Sequence, residues 1–261
     1  MALNEKQKKL IEDTLKTTLR KKFENYNPEP ASMPFHTRLL GKDRLALYQF
    51  IHSLITNFGT TIFEPVAVTL ASTKFKEAKS HIVAGTKLSE DAQFEIQKIM
   101  DGLNSATVKP NKTKEIQTIR KAIKKGKERN VSPTNVDLYL KNQYNEIFLL
   151  DIKTAKPNMG GFKEFKRTLL EWVGVVLFEN PNTKINTLIA IPYNPYEPKP
   201  YTRWTMAGML DLEYELKVGK EFWDFVGGDG AYEDLLYCFE KVGIEMRNEI
   251  DNYFSKFKSA Q

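Results

Sequence analysis

The sequence predicts an α/β protein, with a mixed central β-sheet flanked by helices and with helical N-terminal and C-terminal parts. Two observations predict this fold class. Apolar residues recur at helical spacing in the first and last parts of the chain, and short, strongly apolar runs occupy the middle. Since there is no internal repeat, we expect a single domain over residues 1–261. Its expected parts are a helical region at about 1–130, a hairpin and core at about 131–192, and a loop followed by helices at about 193–261.

The N-terminal part carries a series of helix signals. Asn4 and Gln7 form a possible capping pair before the first apolar stripe. Further along, either Thr61 and Glu64 form a capping box or Pro65 is the first helical residue. We therefore expect helices at about 4–23, 44–58, 61–71, 89–103 and 116–126.

A β-hairpin is expected next. Two apolar strands, at 135–140 and 146–153, are separated by a short polar turn. The chain then continues with a helix, a buried strand, a loop rich in proline and tyrosine, and one long C-terminal helix, at 162–178, 185–191, 192–204 and about 235–253.

The composition is that of an ordinary soluble globular protein, with 41% hydrophobic and 28% charged residues. Cys238 is the single cysteine, which excludes an intramolecular disulfide and fits a reducing compartment, so we expect a cytoplasmic location. No apolar run approaches the roughly 20 residues of a membrane helix, and the N-terminus has no apolar signal core. We therefore expect no membrane partner.

Positive charge is concentrated in one segment. Residues 109–129 hold nine Lys or Arg against two Glu, although the net charge of the whole chain is only +6. Segment 211–251 holds twelve acidic residues against four basic ones. A basic element on a near-neutral body favours a surface that faces a polyanion, and the alternative is a solvated helix face.

The chemistry is expected at the end of the second hairpin strand, Asp151-Ile152-Lys153. Residues two apart on a strand point to the same face, so Asp151 and Lys153 project together. Asp137, on the partner strand, can meet them across the hairpin. Carboxylates that hold Mg²⁺, with a lysine beside them, can neutralise phosphate oxygens and position a water, which is what phosphodiester hydrolysis requires.

An acid–any–lysine triplet is weak evidence by itself, and the chain contains others. Glu77-Ala78-Lys79 has no predicted strand before it, and Glu215-Leu216-Lys217 follows its nearest upstream acid too closely for a hairpin turn. Only Asp151-Ile152-Lys153 combines an apolar strand with a partner acid at hairpin distance. The alternative interpretation of Asp151 is a strand-end acid paired with a surface lysine.

These residues resemble a known family. Pro133 and Asp137, followed by Asp151-Ile152-Lys153, are similar to the PD-(D/E)xK nuclease signature, and residues 154–158 are similar to those that follow it in type II restriction endonucleases. The chain departs from the written signature in two ways, because Asp137 is not directly preceded by proline and Asp151 replaces the more common glutamate.

Other stretches extend the resemblance. Residues 62–67 resemble the upstream helix of such enzymes, where a glutamate often joins the metal site. Residues 194–198 and 221–228 resemble the group of these enzymes that cuts GGNCC. The resemblance implies a restriction-endonuclease-like core and a sequence-specific double-stranded DNA endonuclease acting at a short palindromic site.

The resemblance also implies roles for individual residues. Asp137 and Asp151 would be Mg²⁺ ligands with Ile152 as a further ligand, Lys153 would lie beside the attacking water, and Glu64 would be an accessory catalytic acid. The alternative for Glu64 is a helix-capping glutamate that needs no metal.

Candidate DNA contacts lie in three regions. The basic segment could bind phosphates, the loop at 192–204 could enter a groove, and the helix after the catalytic strand presents Lys163, Lys166 and Arg167 on one face. The alternative for the loop is a proline-stiffened surface turn. The candidate residues are Lys124, Lys125, Lys156, Lys163, Arg167, Lys199, Tyr201, Arg203 and Trp204.

The implied partners are double-stranded DNA and a second copy of the chain, because a palindromic site is read most simply by a two-fold protein. The apolar, acidic C-terminal part is a candidate either for this interface or for a surface distant from the DNA, because its charge would repel DNA. A cognate DNA methyltransferase is expected in the same system, without a stable complex.

Other nuclease chemistries fit less well. His36, His52 and His81 form no Cys/His cluster or HNH-like pair and are expected to be structural or solvent-facing, and there is no phosphate-binding glycine loop. Two other functions stay open, a structure-specific repair or junction nuclease and a catalytically silent DNA-binding protein.

Overall fold

A five-stranded mixed sheet lies at the centre of the molecule, as seen in a computed structural model that describes residues 3–27, 32–124, 126–133, 135–153, 161–202 and 208–258. Its strands are β1 (Glu77–Lys79), β4 (Leu138–Lys141), β5 (Ile147–Ile152), β6 (Ile185–Ile191) and β7 (Leu216–Val218), in that spatial order. The β1–β4 and β4–β5 pairs are antiparallel, whereas β5–β6 and β6–β7 are parallel. A separate antiparallel pair consists of β2 (Lys87–Ser89) and β3 (Glu128–Asn130).

Helices cover both faces of the sheet. They are α1 (Glu5–Asn25), α2 (Pro34–Leu40), α3 (Lys42–Phe58), α4 (Glu64–Ala71), α5 (Glu90–Asn104), α6 (Lys112–Ala122), α7 (Gly161–Glu179), α8 (Lys220–Gly227), α9 (Ala231–Glu245) and α10 (Arg247–Lys258). A π-helical turn, Gly59–Phe63, joins α3 to α4. The predicted fold class, an α/β protein with a mixed sheet flanked by helices, is confirmed.

The alternation of side chains along the central strands divides the interior into two cores. Leu149 and Ile189 point into a core with α5, α6 and α7. Their neighbours on the same strands point the other way. Leu150, which follows Leu149, and Leu188, which precedes Ile189, point into a second core with α1, α4, α8 and α9. Both central strands are therefore buried on both faces, which explains their nearly continuous apolar sequences.

The first helix begins as predicted. The Asn4 side chain accepts a hydrogen bond from the Gln7 backbone at 2.9 Å, and the Gln7 side chain accepts one from the Asn4 backbone at 2.7 Å. Of the two alternatives at the start of α4, the structure favours the one with proline in the first turn. The π-helical turn runs directly into α4, whose first residue is Glu64 and whose second is Pro65, and α4 has no side-chain cap.

Two edge strands were not assigned from the sequence, and one predicted helix is wrong. Glu77-Ala78-Lys79, in a stretch whose sequence pattern is ambiguous, is the edge strand β1, and Leu216–Val218 is the opposite edge strand β7. Strands of three residues are too short to show an alternating pattern. The long C-terminal helix is two helices, α9 and α10, which are separated at Met246.

Within the described ranges, no single helix is long and apolar enough to cross a membrane. One pair of consecutive helices with a bend between them, Lys42–Thr56 and Gly59–Ala71, is long and apolar enough when the two are taken together, by length and composition alone.

Candidate active site

The β4–β5 hairpin brings Asp137 to Asp151. Leu138 lies opposite Leu150 in the hairpin register, so extending the register by one residue places Asp137 opposite Asp151. The Ile152 backbone N–H donates a hydrogen bond of 2.8 Å to Asp137 Oδ2. This bond fixes the Asp137 carboxylate at the end of β5, although Asp137 itself lies just outside β4.

Lys153 follows β5 and points back to the same carboxylates. Its Nζ lies 2.5 Å from Asp151 Oδ1 and 5.0 Å from the centre of the Phe165 ring. Its backbone N–H donates to the Ala190 carbonyl on β6 at 2.9 Å, so the main chain at Lys153 continues the sheet. The expected placement of Asp151 and Lys153 on one face is therefore present.

Glu64 reaches the same region from α4. Its side chain is only 2% exposed, because the π-helical turn and α4 pack against the sheet. Burial raises the pKa of the Glu64 carboxyl to about 7, the charge of Asp151 adds to the rise, and Lys153 opposes it. Burial also raises the pKa of Asp151; Lys153 opposes that rise, and Asp137 adds to it.

His81 is the neighbour of Glu64 that the sequence did not indicate. His81 Nε2 lies 2.9 Å from Glu64 Oε2. The contact is not aligned as a hydrogen bond, and Glu64 Oε2 is a buried oxygen without a hydrogen-bond partner in the described part of the chain. The expectation that His81 is merely structural or solvent-facing missed this contact. No local motif marks it, because the pairing depends on two backbone hydrogen bonds between Ile82 and Val136 that hold the loop beside the hairpin.

A cleft of about 860 Å³ opens at these residues. Its polar side chains include those of Glu64, Asp137 and Lys153, and Ile152 lies beside them. The rest of its lining is mainly apolar and aromatic and comes largely from α3, the π-helical turn, α8 and α9; it includes Ile55, Phe58, Phe63, Trp223 and Phe239. Glu64, Asp137 and Lys153 therefore face a space large enough for part of a substrate, and Asp151 is buried next to Lys153.

The donor set suits a magnesium ion. No three His, Cys, Asp or Glu side chains among the described residues are grouped so as to hold a metal ion on their own. Mg²⁺ usually takes only one or two carboxylates and completes its shell with waters and substrate phosphates. Asp137 and Asp151, beside the unsatisfied Glu64 oxygen, fit that requirement, and Ile152 could contribute only its backbone carbonyl.

Comparison with known proteins supports a family assignment. The chain matches the family model described as "Type II restriction endonuclease, HinfI" over residues 3–243. It belongs to this family. It is also 26% identical to the type II restriction enzyme MjaII of Methanocaldococcus jannaschii, over a region that covers 81% of this chain and 63% of the relative. The chain thus spans less than two thirds of the length of that relative. The matched region contains every candidate catalytic residue of this HinfI-family chain.

The candidate DNA contacts have different environments. Lys124, Lys163 and Lys199 are exposed. Arg167 donates a 2.7 Å hydrogen bond to the Gln97 side chain. Tyr201 is half-buried and packs against the core formed with α5, α6 and α7. Four further candidates lie outside the described residues; they are Lys125, Lys156, Arg203 and Trp204.

Part of the predicted basic surface is engaged within the chain. Arg120, which is partly buried, binds the carbonyls of Pro181 and Thr183, and the exposed Arg129 pairs with Glu90 at the surface. Lys166, which was expected on a polar helix face with Lys163 and Arg167, is instead completely buried. Its position on α7 faces the core, because two buried glutamates from distant parts of the chain surround it.

These groups form a buried ion-pair network, consisting of Lys112, Glu115, Lys166 and Glu215. Lys166 Nζ lies 2.6 Å from both Glu115 Oε2 and Glu215 Oε2, and Lys112 Nζ lies 2.8 Å from Glu215 Oε1. Lys112 Nζ also donates to the hydroxyl of Thr187 on β6. The network joins α6, α7, β6 and the start of β7, and sequence spacing gave no sign of it.

Proposed function

We propose that this chain is a Mg²⁺-dependent type II restriction endonuclease that hydrolyses phosphodiester bonds of double-stranded DNA at a short palindromic sequence, acting as a homodimer. The observation that carries the proposal is the convergence of Asp137, Asp151 and Lys153 at the end of one hairpin, in a chain that belongs to a type II restriction endonuclease family. This arrangement agrees with the PD-(D/E)xK resemblance.

Asp137, Asp151 and the Ile152 carbonyl are the groups that would hold the magnesium ion. When bound, Mg²⁺ neutralises phosphate oxygens and lowers the pKa of a water so that it can attack at neutral pH. The chain prepares this position by burying Asp151 and by fixing Asp137 through the Ile152 N–H. The buried Asp151 carboxylate and the partly exposed Asp137 carboxylate repel each other, which favours occupation of the position by a cation.

Lys153 contributes a fixed positive charge next to the carboxylates. Asp151 and the face of the Phe165 ring hold its ammonium group in place. In the reaction it stabilises the negative charge that develops on the scissile phosphate and orients the attacking water. Its orientation before substrate binds reduces the reorganisation needed during the reaction.

Glu64 is the accessory acid. Because burial raises its pKa to about 7, its carboxyl group can both hold and release a proton near neutral pH. Its position in the wall of the cleft gives it access to the same space as Lys153.

DNA binding involves the exposed basic residues, among them Lys124, Lys163 and Lys199, whose phosphate contacts make the affinity salt-dependent. The recognition sequence GGNCC stays a prediction from resemblance, as do base contacts by Arg203 and Trp204. A cytoplasmic location and a cognate DNA methyltransferase, which would protect host DNA, belong to the same proposal.

The test is digestion of a plasmid of known sequence with the full chain and Mg²⁺. We expect a fixed set of fragments, which disappears when Mg²⁺ is chelated. Asp151→Ala should cleave at least about a thousandfold more slowly while still binding the site, because several kcal/mol of charge stabilisation depend on the metal. Asp251→Ala, at an exposed position on α10, is the matched control and should cleave normally.

The other outcomes separate the alternatives. Cleavage confined to branched or flapped DNA would indicate a junction or repair nuclease. Sequence-specific binding without any Mg²⁺-dependent nicking would indicate a catalytically silent DNA-binding protein. Full cleavage by Asp151→Ala at saturating Mg²⁺ would refute the assignment of the site.

A further inference from the structure

Helix α3 has apolar side chains on two opposite faces. On the inner face, Phe50 is fully buried and its ring packs against Tyr253 and Phe257 of α10. On the outer face, Tyr48, Ile51 and Ile55 follow one another at spacings of three and four residues, which places them in one stripe. We call these three residues the outer stripe. Tyr48 is 59% exposed and Ile55 is 60% exposed. A helix that is apolar on both faces is normally covered on both.

The outer stripe lies in a helix segment without charges. Residues 45–58 contain no Asp, Glu, Lys or Arg, although roughly 25–35% of residues on a typical soluble surface are charged. The adjoining helix α2 adds Phe35, which is 82% exposed, and Leu39, which is 83% exposed. Depletion of charge together with exposed aromatic residues is the composition of the centre of a protein–protein interface. A DNA-binding surface would instead be strongly basic.

The exposed apolar area approaches what a stable dimer requires. The two aromatic side chains, Phe35 and Tyr48, and the aliphatic side chains of Leu39, Ile51 and Ile55 together expose on the order of 500 Å² to solvent. Monomers rarely expose more than about 300–600 Å² in one patch, and a stable interface buries about 800 Å² on each partner. The outer stripe with α2 therefore supplies most of the apolar area of one side of such an interface.

We propose that the outer stripe, together with Phe35 and Leu39, is the surface through which a second copy of this chain binds. The inference rests on the proposed function, since a palindromic site requires two active centres related by a two-fold axis. Charge placement supports a second copy in antiparallel orientation. The exposed charges of α3 are Lys42 and Arg44, both at its N-terminal end. An antiparallel pair of 17-residue helices separates these charges by about 25 Å, so they do not repel.

The same face borders the candidate active site. Ile55, Thr56 and Phe58, at the C-terminal end of α3, line the same cleft as Lys153. A second copy on the outer stripe therefore lies beside both clefts and completes their outer edge. The acidic C-terminal part is a poorer interface. Its exposed apolar residues, such as Tyr237 and Ile244, lie among Glu233, Glu240 and Glu245. Glu233 pairs with Lys220 and Glu245 pairs with Lys16, so an interface there would have to bury charged side chains that are now solvated.

The test is the molar mass of the full chain in solution at micromolar concentration, measured by light scattering after size exclusion. We expect a dimer. The double variant Tyr48→Glu, Ile51→Glu should raise the dimer dissociation constant by about a hundredfold or more, because it buries charges in the centre of the interface. Phe94→Glu, at a 67% exposed position on α5, is the matched control and should remain dimeric. Circular dichroism should show that both variants are folded.

A charge-pairing experiment tests the antiparallel arrangement. Ile51 lies near the middle of α3, so in an antiparallel two-fold pair it approaches its own counterpart. Chains with Ile51→Glu and chains with Ile51→Lys should each be monomeric, and their mixture should form a heterodimer. A mixture that stays monomeric would overturn this orientation.

Other outcomes overturn the interface itself. These are a monomeric wild-type chain, a wild-type chain that binds phospholipid vesicles as a monomer, and a double variant that dimerises as well as the control. Plasmid cleavage, measured separately, keeps the two proposals distinguishable. A dimer that never cleaves DNA would refute the proposed endonuclease activity and leave the interface in place. A monomer that cleaves DNA would refute the interface and the homodimer and leave the endonuclease activity in place.

Discussion

Two clusters of charged side chains differ in how completely their charges are balanced. The buried network contains two lysines and two glutamates within 2.6–2.8 Å ion pairs. The candidate active site contains three carboxylates, Glu64, Asp137 and Asp151, and a single lysine, Lys153. The network therefore has equal numbers of positive and negative groups, whereas the active site has an excess of carboxylates.

The titration properties reflect the same difference. Burial disfavours ionisation of Glu215 in the network, yet Lys112 and Lys166 outweigh it and lower its pKa. In the active site, burial raises the pKa of Glu64 and Asp151, and the one lysine does not compensate. Burial lowers the pKa of Lys112 in the same network, so the ion pairs offset the cost of burying the charges and need not add net stability. In the active site the cost of burial is not offset, which leaves a place for a cation and a phosphate.

The largest expected effect is the loss of the network's central charge. Lys166→Met leaves Glu115 and Glu215 buried with only Lys112 nearby, so the free energy of unfolding should fall by about 3–5 kcal/mol. Urea-induced unfolding measures this change. A decrease below about 1 kcal/mol would show that the network is not a stabilising unit, and Lys163→Met, exposed on the same helix, is the control.

Loss of the active-site lysine should act more strongly on the cleavage rate than on stability. Lys153→Ala removes the group that stabilises developing phosphate charge, so the cleavage rate should fall by about 100- to 1000-fold, or roughly 3–4 kcal/mol of activation free energy. The free energy of unfolding should fall less than in Lys166→Met, because Lys153 is 30% exposed and the buried Asp151, whose pKa burial already raises, can take up a proton when the lysine is removed. Single-turnover cleavage of an oligonucleotide measures the rate. A fully active variant would contradict the role of Lys153, and Lys98→Ala, exposed on α5, serves as the control.

The parts of the fold and of the site that depend on local periodicity could be predicted from the sequence. The β5 and β6 strands, and Asp151 with Lys153, follow from strand alternation, and Asp137 follows from the hairpin. The network was not predictable, because its members lie about 50–100 residues apart and become neighbours only through packing. For the same reason Lys166 was placed on a polar face, and His81 was not connected with Glu64.

A smaller effect is expected in the pH dependence of stability. The pKa of Glu64 rises from 4.5 to about 7 on folding, so the folded state favours the protonated carboxyl. Its contribution to the free energy of unfolding should therefore be greatest below pH 4.5 and should decline as the pH rises to about 7, by roughly 2–3 kcal/mol. Asp151, Lys153 and His81 face the same carboxyl, so the effect must be isolated by difference. Glu64→Gln in metal-free buffer should lose this part of the pH dependence, and identical curves for the two proteins would contradict the prediction.

The smallest expected effect tests what the network contributes to the free energy of unfolding. Either the ion pairs themselves stabilise the fold, or the fold requires only that no buried charge is left unbalanced. Lys166→Met combined with Glu115→Gln removes one positive and one negative group, and leaves the Lys112–Glu215 pair intact. The amide introduced by Glu115→Gln would retain an oxygen that can accept the hydrogen bond from the Asn111 backbone. Because a balanced buried pair can be replaced by neutral groups at little cost, the free energy of unfolding should lie within about 1 kcal/mol of the wild-type value. If the double variant were as unstable as Lys166→Met alone, the stability would depend on the ion pairs themselves, and charge balance would not be the property that distinguishes the network from the active site.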